Sequence, residues 1–167
     1  QKKFKFLSDG RKSREKKLST EFQVFLSEAT AKHKAGDLEA TKSLYPSAIK
    51  LKPLSPAANH DLGILWRTCR GFDKALQCFQ IAVESGEKET QFLLSYAETL
   101  EAICRFEDAI KILVRGKRKV KHPEFDFKIG NIRAKTADFL GAELSYRDYL
   151  IENPYSPDAL YNLGYVL

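Results

Sequence analysis

The 167-residue chain has no Met, one Trp, three His and three Cys, and it has no run of eighteen or more apolar residues. Without such a run no span of the bilayer is expected. Cys69, Cys78 and Cys104 are odd in number and lack C-x-x-C spacing, which excludes a closed disulfide framework and a thiolate zinc site and suits a reducing, cytoplasmic setting. His33, His60 and His122 are scattered, and His33 and His60 stand about 10 Å apart along neighbouring helices at 1.5 Å per residue, so no metal is expected. There is no G-x-S-x-G, no phosphate-cradling glycine loop and no H-E-x-x-H, so neither catalysis nor a cofactor is expected. The chain begins at Gln1, and with Met absent the expectation is a segment of something longer.

What is present is repetition. The stretch from Pro56 to Glu89 reads L-G-x2-W-x8-A-x3-F-x2-A through Leu62, Gly63, Trp66, Ala75, Phe79 and Ala82. A shift of 34 residues superposes Ala29, Gly63 and Ala97, and likewise Ala75 on Ala109 and Ala48 on Ala82. A shift of 33 carries Ala97 to Gly130 and Ala109 to Ala142. Over four units, ten of twelve slots hold Ala or Gly, the exceptions being Thr41 and Tyr149. Chance fills one or two at ordinary usage.

This period and spelling resemble the tetratricopeptide repeat, and the resemblance covers residues 22–167. It implies an all-α fold, a right-handed superhelical solenoid of antiparallel helix pairs. The expected boundaries are 22–55, 56–89, 90–122 and 123–156, with the first helix of a fifth repeat over 157–167 and a basic leader over 1–21 that can be helical. Ser55-Pro56 and Ser156-Pro157 each pair a helix-capping serine with a proline at the first helical position, the punctuation of a repeat boundary. Gly86 stops the second repeat as Pro53 stops the first. In repeat one the first helix is expected to start after Ser19 or Thr20, and Pro46 to kink the second. Glu28 and Thr41 depart from the pattern there, as do Arg133 and Tyr149 in repeat four.

The whole chain is +6, and the leader alone carries eight cations against three anions, a net +5. The bland reading, a solvated lead-in, outweighs an arm for nucleic acid or lipid, because no base-stacking aromatic pattern accompanies it. Alternatively, Phe4, Phe6 and Leu7 fold back onto the first helix. The run Arg115, Lys117, Arg118, Lys119 and Lys121 reads first as cations favoured at a helix C-terminus. Nucleic acid is therefore not the expected partner.

The resemblance implies that first helices line a concave groove for a peptide or partner protein. Its candidates are Leu26, Thr30 and His33, then His60, Ile64 and Arg67, then Leu94, Glu98 and Glu101, then Phe127, Asn131 and Lys135, and last Tyr161 and Tyr165. For each the bland alternative is solvent exposure. The five-residue carboxylate clamp of chaperone-binding members is not expected, since its places hold Leu26, Thr30, Asp61, Gln91 and Ser95. The asparagine ladder of sugar-transferase arms is sparse, with Asn162 the best match.

The leading reading is a protein-protein interaction scaffold. The alternatives are a substrate-recognition arm of a larger bacterial transferase or oxygenase, and binding of nucleic acid or an anionic surface. Leu160, Leu163 and Val166 lack a partner helix, which further chain or self-association would supply.

Overall fold

The computed structural model describes residues 2–86 and 89–167, with side-chain surroundings in the first helix given from residue 13 onward. The described residues form α-helices only: α1 (Lys2–Lys34), α2 (Leu38–Leu51), α3 (Pro56–Thr68), α4 (Phe72–Ser85), α5 (Thr90–Ala102), α6 (Phe106–Val120), α7 (Glu124–Lys135), α8 (Phe139–Glu152) and α9 (Pro157–Val166). They fall into two compact units, residues 1–85 with α1 to α4 and residues 86–167 with α5 to α9. Within each unit, helices joined by a three-residue turn pack as antiparallel pairs. This is an all-α helical repeat fold.

The period is written in the backbone as well as in the sequence. Gly36, Arg70, Cys104 and Ala137 all have φ between 59° and 78°, and each occupies the turn inside a helix pair. Intervals of 34, 34 and 33 residues separate them. A left-handed residue here reverses the chain within three positions. For a residue with a Cβ this conformation costs about 1–2 kcal/mol, so three of the four turns are strained.

In the first unit, Ala29, Tyr45, Leu62 and Leu65 form one buried cluster and Phe22, Ala48 and Ala58 another. In the second, Leu93, Leu113, Phe125, Ile129, Ile132 and Tyr146 are closed from solvent. All ten small residues at the repeated slots are buried. At three of them a Cβ would collide with a buried ring: 2.7 Å from Phe79 at Gly63, 2.7 Å from Phe125 at Gly116 and 2.6 Å from Tyr146 at Gly130.

The capping devices work locally. Ser55 and Ser156 accept hydrogen bonds from the amides of Ala58 and Ala159, both at 3.4 Å. Asp37 and Asp138 do the same for Ala40 (3.2 Å) and Gly141 (3.0 Å). Asn59, 2% exposed, donates to the Pro53 and Ser55 carbonyls and locks the linker before α3.

One expectation for the first repeat needs correction. α1 does not start after Ser19 or Thr20 but runs through them, so the leader and the first repeat helix are continuous. Thr20 donates back to the Lys16 carbonyl at 3.0 Å, satisfying itself inside the helix, and Ser19 accepts from Lys52 at 3.2 Å. The side chains of Phe4, Phe6 and Leu7 lie outside the described residues. α2 continues through Pro46, which is exposed.

The odd residues fit for physical reasons. Thr41 is fully buried, with its hydroxyl donating to the Asp37 carbonyl at 2.6 Å. Arg133 donates to the Gly141 carbonyl (3.0 Å) and to the Ser145 hydroxyl (3.1 Å), replacing an aromatic contact with hydrogen bonds to the next helix. Tyr149 stacks on Phe127 with ring centroids 5.0 Å apart.

Gly63→Ala forces the buried Phe79 ring to move, and urea unfolding should show about 1–2 kcal/mol lost despite the better helix propensity of alanine. Ala137→Gly relieves a left-handed turn and should raise stability by about 0.5–1 kcal/mol in the same assay. Burial pushes the Cys78 thiol up to about 11, while Cys104 is exposed. Iodoacetamide near neutral pH should therefore label Cys104 well before Cys78, read by peptide mass mapping.

Candidate functional site

The second unit presents a polar face assembled from its first helices, α5, α7 and α9. Residues about 30 apart fall side by side on these helices, and opposite charges meet there. Lys128 on α7 donates to Glu98 on α5 at 2.9 Å, and Lys135 on α7 pairs with Glu101 on α5. Asn131 lies between the two lysines on α7. Its Oδ1 accepts from the Asn162 amide on α9 at 3.0 Å and from the Tyr146 hydroxyl on α8 at 2.9 Å. Burial pushes the Tyr146 phenol up, against a lowering by its hydrogen bond to Asn162, so it stays protonated and a donor. The ion pairs are partly exposed, with Lys135 60% accessible, and each adds no more than about 1 kcal/mol to stability.

A cavity of about 490 Å³ opens at this rung, lined by Glu101, Asn131, Lys135 and Tyr165 together with Lys128 and Asn162. A second, of about 600 Å³, adjoins it through Lys128 and includes Leu94, Glu98, Gln91 and Glu124 in its wall. Four of the candidates, Glu101, Asn131, Lys135 and Tyr165, thus share the first cavity, and Leu94 and Glu98 share the second. Leu94 is 9% exposed, so packing takes most of its surface. Phe127 lines neither cavity and packs against Tyr146 and Tyr149. Tyr161 lines neither and is 76% exposed.

The candidates of the first unit are more enclosed. Leu26 packs against both core clusters. Thr30 donates to the Leu26 carbonyl at 2.9 Å and meets Asp61 at 3.5 Å, linking α1 to α3. His33 lies edge-on to Tyr45 at 6.0 Å. His60 is 7% exposed, 5.6 Å from the Phe79 ring and 3.5 Å from the Asp61 carboxylate. Arg67 lies over the same ring at 5.9 Å from its centroid, and Ile64, three residues before Arg67 on α3, is half-buried.

The sequence reading omitted Lys128, Tyr146 and the neighbouring Ala134 from the groove, and it placed Asn162 only as a ladder match. The signal for Lys128 was available: it stands 30 residues after Glu98, as Lys135 stands 34 after Glu101, with opposite charge in both cases. Among the described residues no group of three or more His, Cys, Asp or Glu is placed to hold a metal ion. No described helix is long and apolar enough to cross a membrane.

No protein-family model and no curated protein sequence matches the chain at a significant level. Solved structures do match. A tetratricopeptide repeat protein from Parabacteroides merdae superposes with a TM-score of 0.80 at 18% identity, over 88% of this chain and 59% of that one. YrrB, described as a TPR protein with an unusual peptide-binding site, gives 0.70 at 19% identity, over 85% of this chain and 74% of its own. PilF of Pseudomonas aeruginosa gives 0.75 at 18% identity, over 90% and 69%. With the 33- to 34-residue period, the buried small residues and the recurring left-handed turns, these likenesses establish the tetratricopeptide repeat fold for this chain.

Proposed function

We propose that the chain is a protein-interaction module that holds a peptide of a partner protein on the α5, α7 and α9 face. The observation that carries this reading is the cavity at Asn131. Its wall combines the Asn131 and Asn162 amides with Lys128 and Lys135, opposed by Glu101 and flanked by the ring of Tyr165. With its Oδ1 committed to Tyr146 and Asn162, Asn131 keeps its amide N–H groups for a ligand. Asn162 keeps an acceptor oxygen. Donor and acceptor side by side match the alternation along an extended peptide backbone, and the aromatic ring beside them suits an apolar side chain. The cavity volume falls in the range of ligand sites. YrrB, which shares the fold, is described as having a peptide-binding site.

Glu98 and Glu101 contribute through Lys128 and Lys135, whose ammonium groups they position. Within the first unit by itself, Thr30, His33, Ile64 and Arg67 would offer contacts on the first-helix face, while Leu26 and His60 chiefly support that face. No catalytic step is assigned to any of them, and the three free thiols suit a reducing compartment.

The test is a screen of arrayed peptides with the purified chain, repeated with Lys135→Glu and Asn162→Ala. Lys135 is exposed, so Lys135→Glu should shift unfolding in urea by about 1 kcal/mol or less, and Asn162→Ala, which removes one part-buried hydrogen bond, by about 1 kcal/mol. Peptides retained by the parent chain should bind each variant about tenfold more weakly, equivalent to about 1.4 kcal/mol. Peptides bound equally by the parent and both variants would rule out this face.

A further inference from the structure

The excess positive charge of the chain is confined to one helix. α1 carries ten lysines and arginines against four carboxylates, a net +6, so residues 35–167 balance and the +6 of the whole chain belongs to α1. Most of it lies ahead of the packed part, with a net +5 over residues 1–21. In the second unit, by contrast, Lys117 is matched by Asp126 and Asp148, Arg105 and Lys111 by Asp108, and Arg147 by Glu143. Arg14, Lys16 and Lys17 are exposed and form no ion pair among the described residues.

On sequence alone a solvated lead-in outweighs an arm for a polyanion. The helix alters that balance, because a rod continuous with the first repeat holds its cations in register as a loose tail does not. α1 has 33 residues to the 14 of α2, and Phe22 is its first buried side chain among those described. Ahead of it, residues 8–17 read Ser-Asp-Gly-Arg-Lys-Ser-Arg-Glu-Lys-Lys, about 15 Å of helix at 1.5 Å per residue with no apolar side chain. A helix lying on a membrane needs an apolar face. The core of a protein interface is depleted of charge and rich in aromatic side chains. This stretch offers neither; it offers Lys, Arg and Ser, the groups that contact phosphate oxygens.

We propose that the N-terminal half of α1 lies against the phosphate backbone of duplex nucleic acid. An α-helix with its side chains is about 10–12 Å across, and the major groove of B-DNA is about 12 Å wide. The lack of stacking aromatics counts against a single strand, whereas a duplex keeps its bases stacked on one another and is held through its phosphates. Where packing begins, α2 adds a further cation: Lys52 stands 3.2 Å from the Ser19 hydroxyl and 4.6 Å from the centre of the Phe22 ring. Contact of this kind responds to charge and not to base sequence. The inference is independent of the peptide reading, since no residue ahead of Phe22 enters the proposed peptide face.

Fluorescence anisotropy of a labelled DNA duplex of about 20 base pairs and arbitrary sequence, titrated with the full 167-residue chain, tests it. Half-saturation should fall in the micromolar range at about 50 mM salt, and the logarithm of affinity should decline against that of salt with a slope of about −4 to −5, as roughly five phosphate contacts require. Lys16→Glu with Lys17→Glu should weaken binding at least tenfold, with helical circular dichroism retained. Arg118→Glu with Lys121→Glu, which alters the net charge equally, should leave affinity within about twofold of the parent. The proposal is overturned if the duplex does not bind at low salt, or if both double variants lose affinity equally. It is overturned as well if polyglutamate, or vesicles of equimolar phosphatidylserine and phosphatidylcholine, compete as strongly as unlabelled duplex.

Discussion

The fold depends on how closely two helices can approach where they cross. At Gly63 and Gly130 the facing aromatic rings, Phe79 and Tyr146, fill the space a Cβ would need. At the equivalent places elsewhere Ala29, Ala97, Ala75 and Ala109 are closed from solvent. A small residue on one helix and a ring or leucine on the other form a tight joint with little side-chain entropy to lose. Everything else in each unit is arranged by that joint. It sets the distance between paired helices, and so which residues on consecutive first helices come within hydrogen-bonding reach.

The turns are the second constraint. Reversing direction in three residues requires a left-handed position, and only Gly36 meets it without strain. Arg70, Cys104 and Ala137 accept the cost because packing on both sides fixes the turn. Capping offsets part of it, as at Asp138, whose carboxylate accepts from Gly141 while Arg133 approaches it at 3.6 Å.

What was legible in the sequence follows from this division. Residue size at a crossing is a property of sequence alone, so the fold class and the small-residue slots could be read at once. Ser-Pro boundaries were equally plain because cap chemistry is local. Left-handed turns at Arg70, Cys104 and Ala137 left no sign, since none is glycine. Ser19 and Thr20 misled for a related reason: hydroxyls that can cap a helix also find partners within one, Thr20 by bonding back to Lys16 and Ser19 by accepting from Lys52, and only the continuation of α1 decides between the two. In the site, Glu101, Asn131, Lys135 and Tyr165 could be placed on one face from register. The enclosure of His60 by Phe79, and the part of Tyr146 in holding Asn131, depend on neighbours that register alone does not name.

The bond between Asn131 and Asn162 carries a symmetry of its own. A carboxamide turned end for end exchanges oxygen for nitrogen with almost no change in shape. If both amides turn together, Asn131 donates to Asn162 and to the Tyr146 oxygen, and the rung stays closed. The cavity then meets an acceptor where it had met a donor. A backbone entering in one direction and the same backbone entering in reverse present opposite sequences of N–H and C=O groups. On the proposed reading the rung would accept either direction, leaving the fixed charges of Lys128 and Lys135 to choose between them.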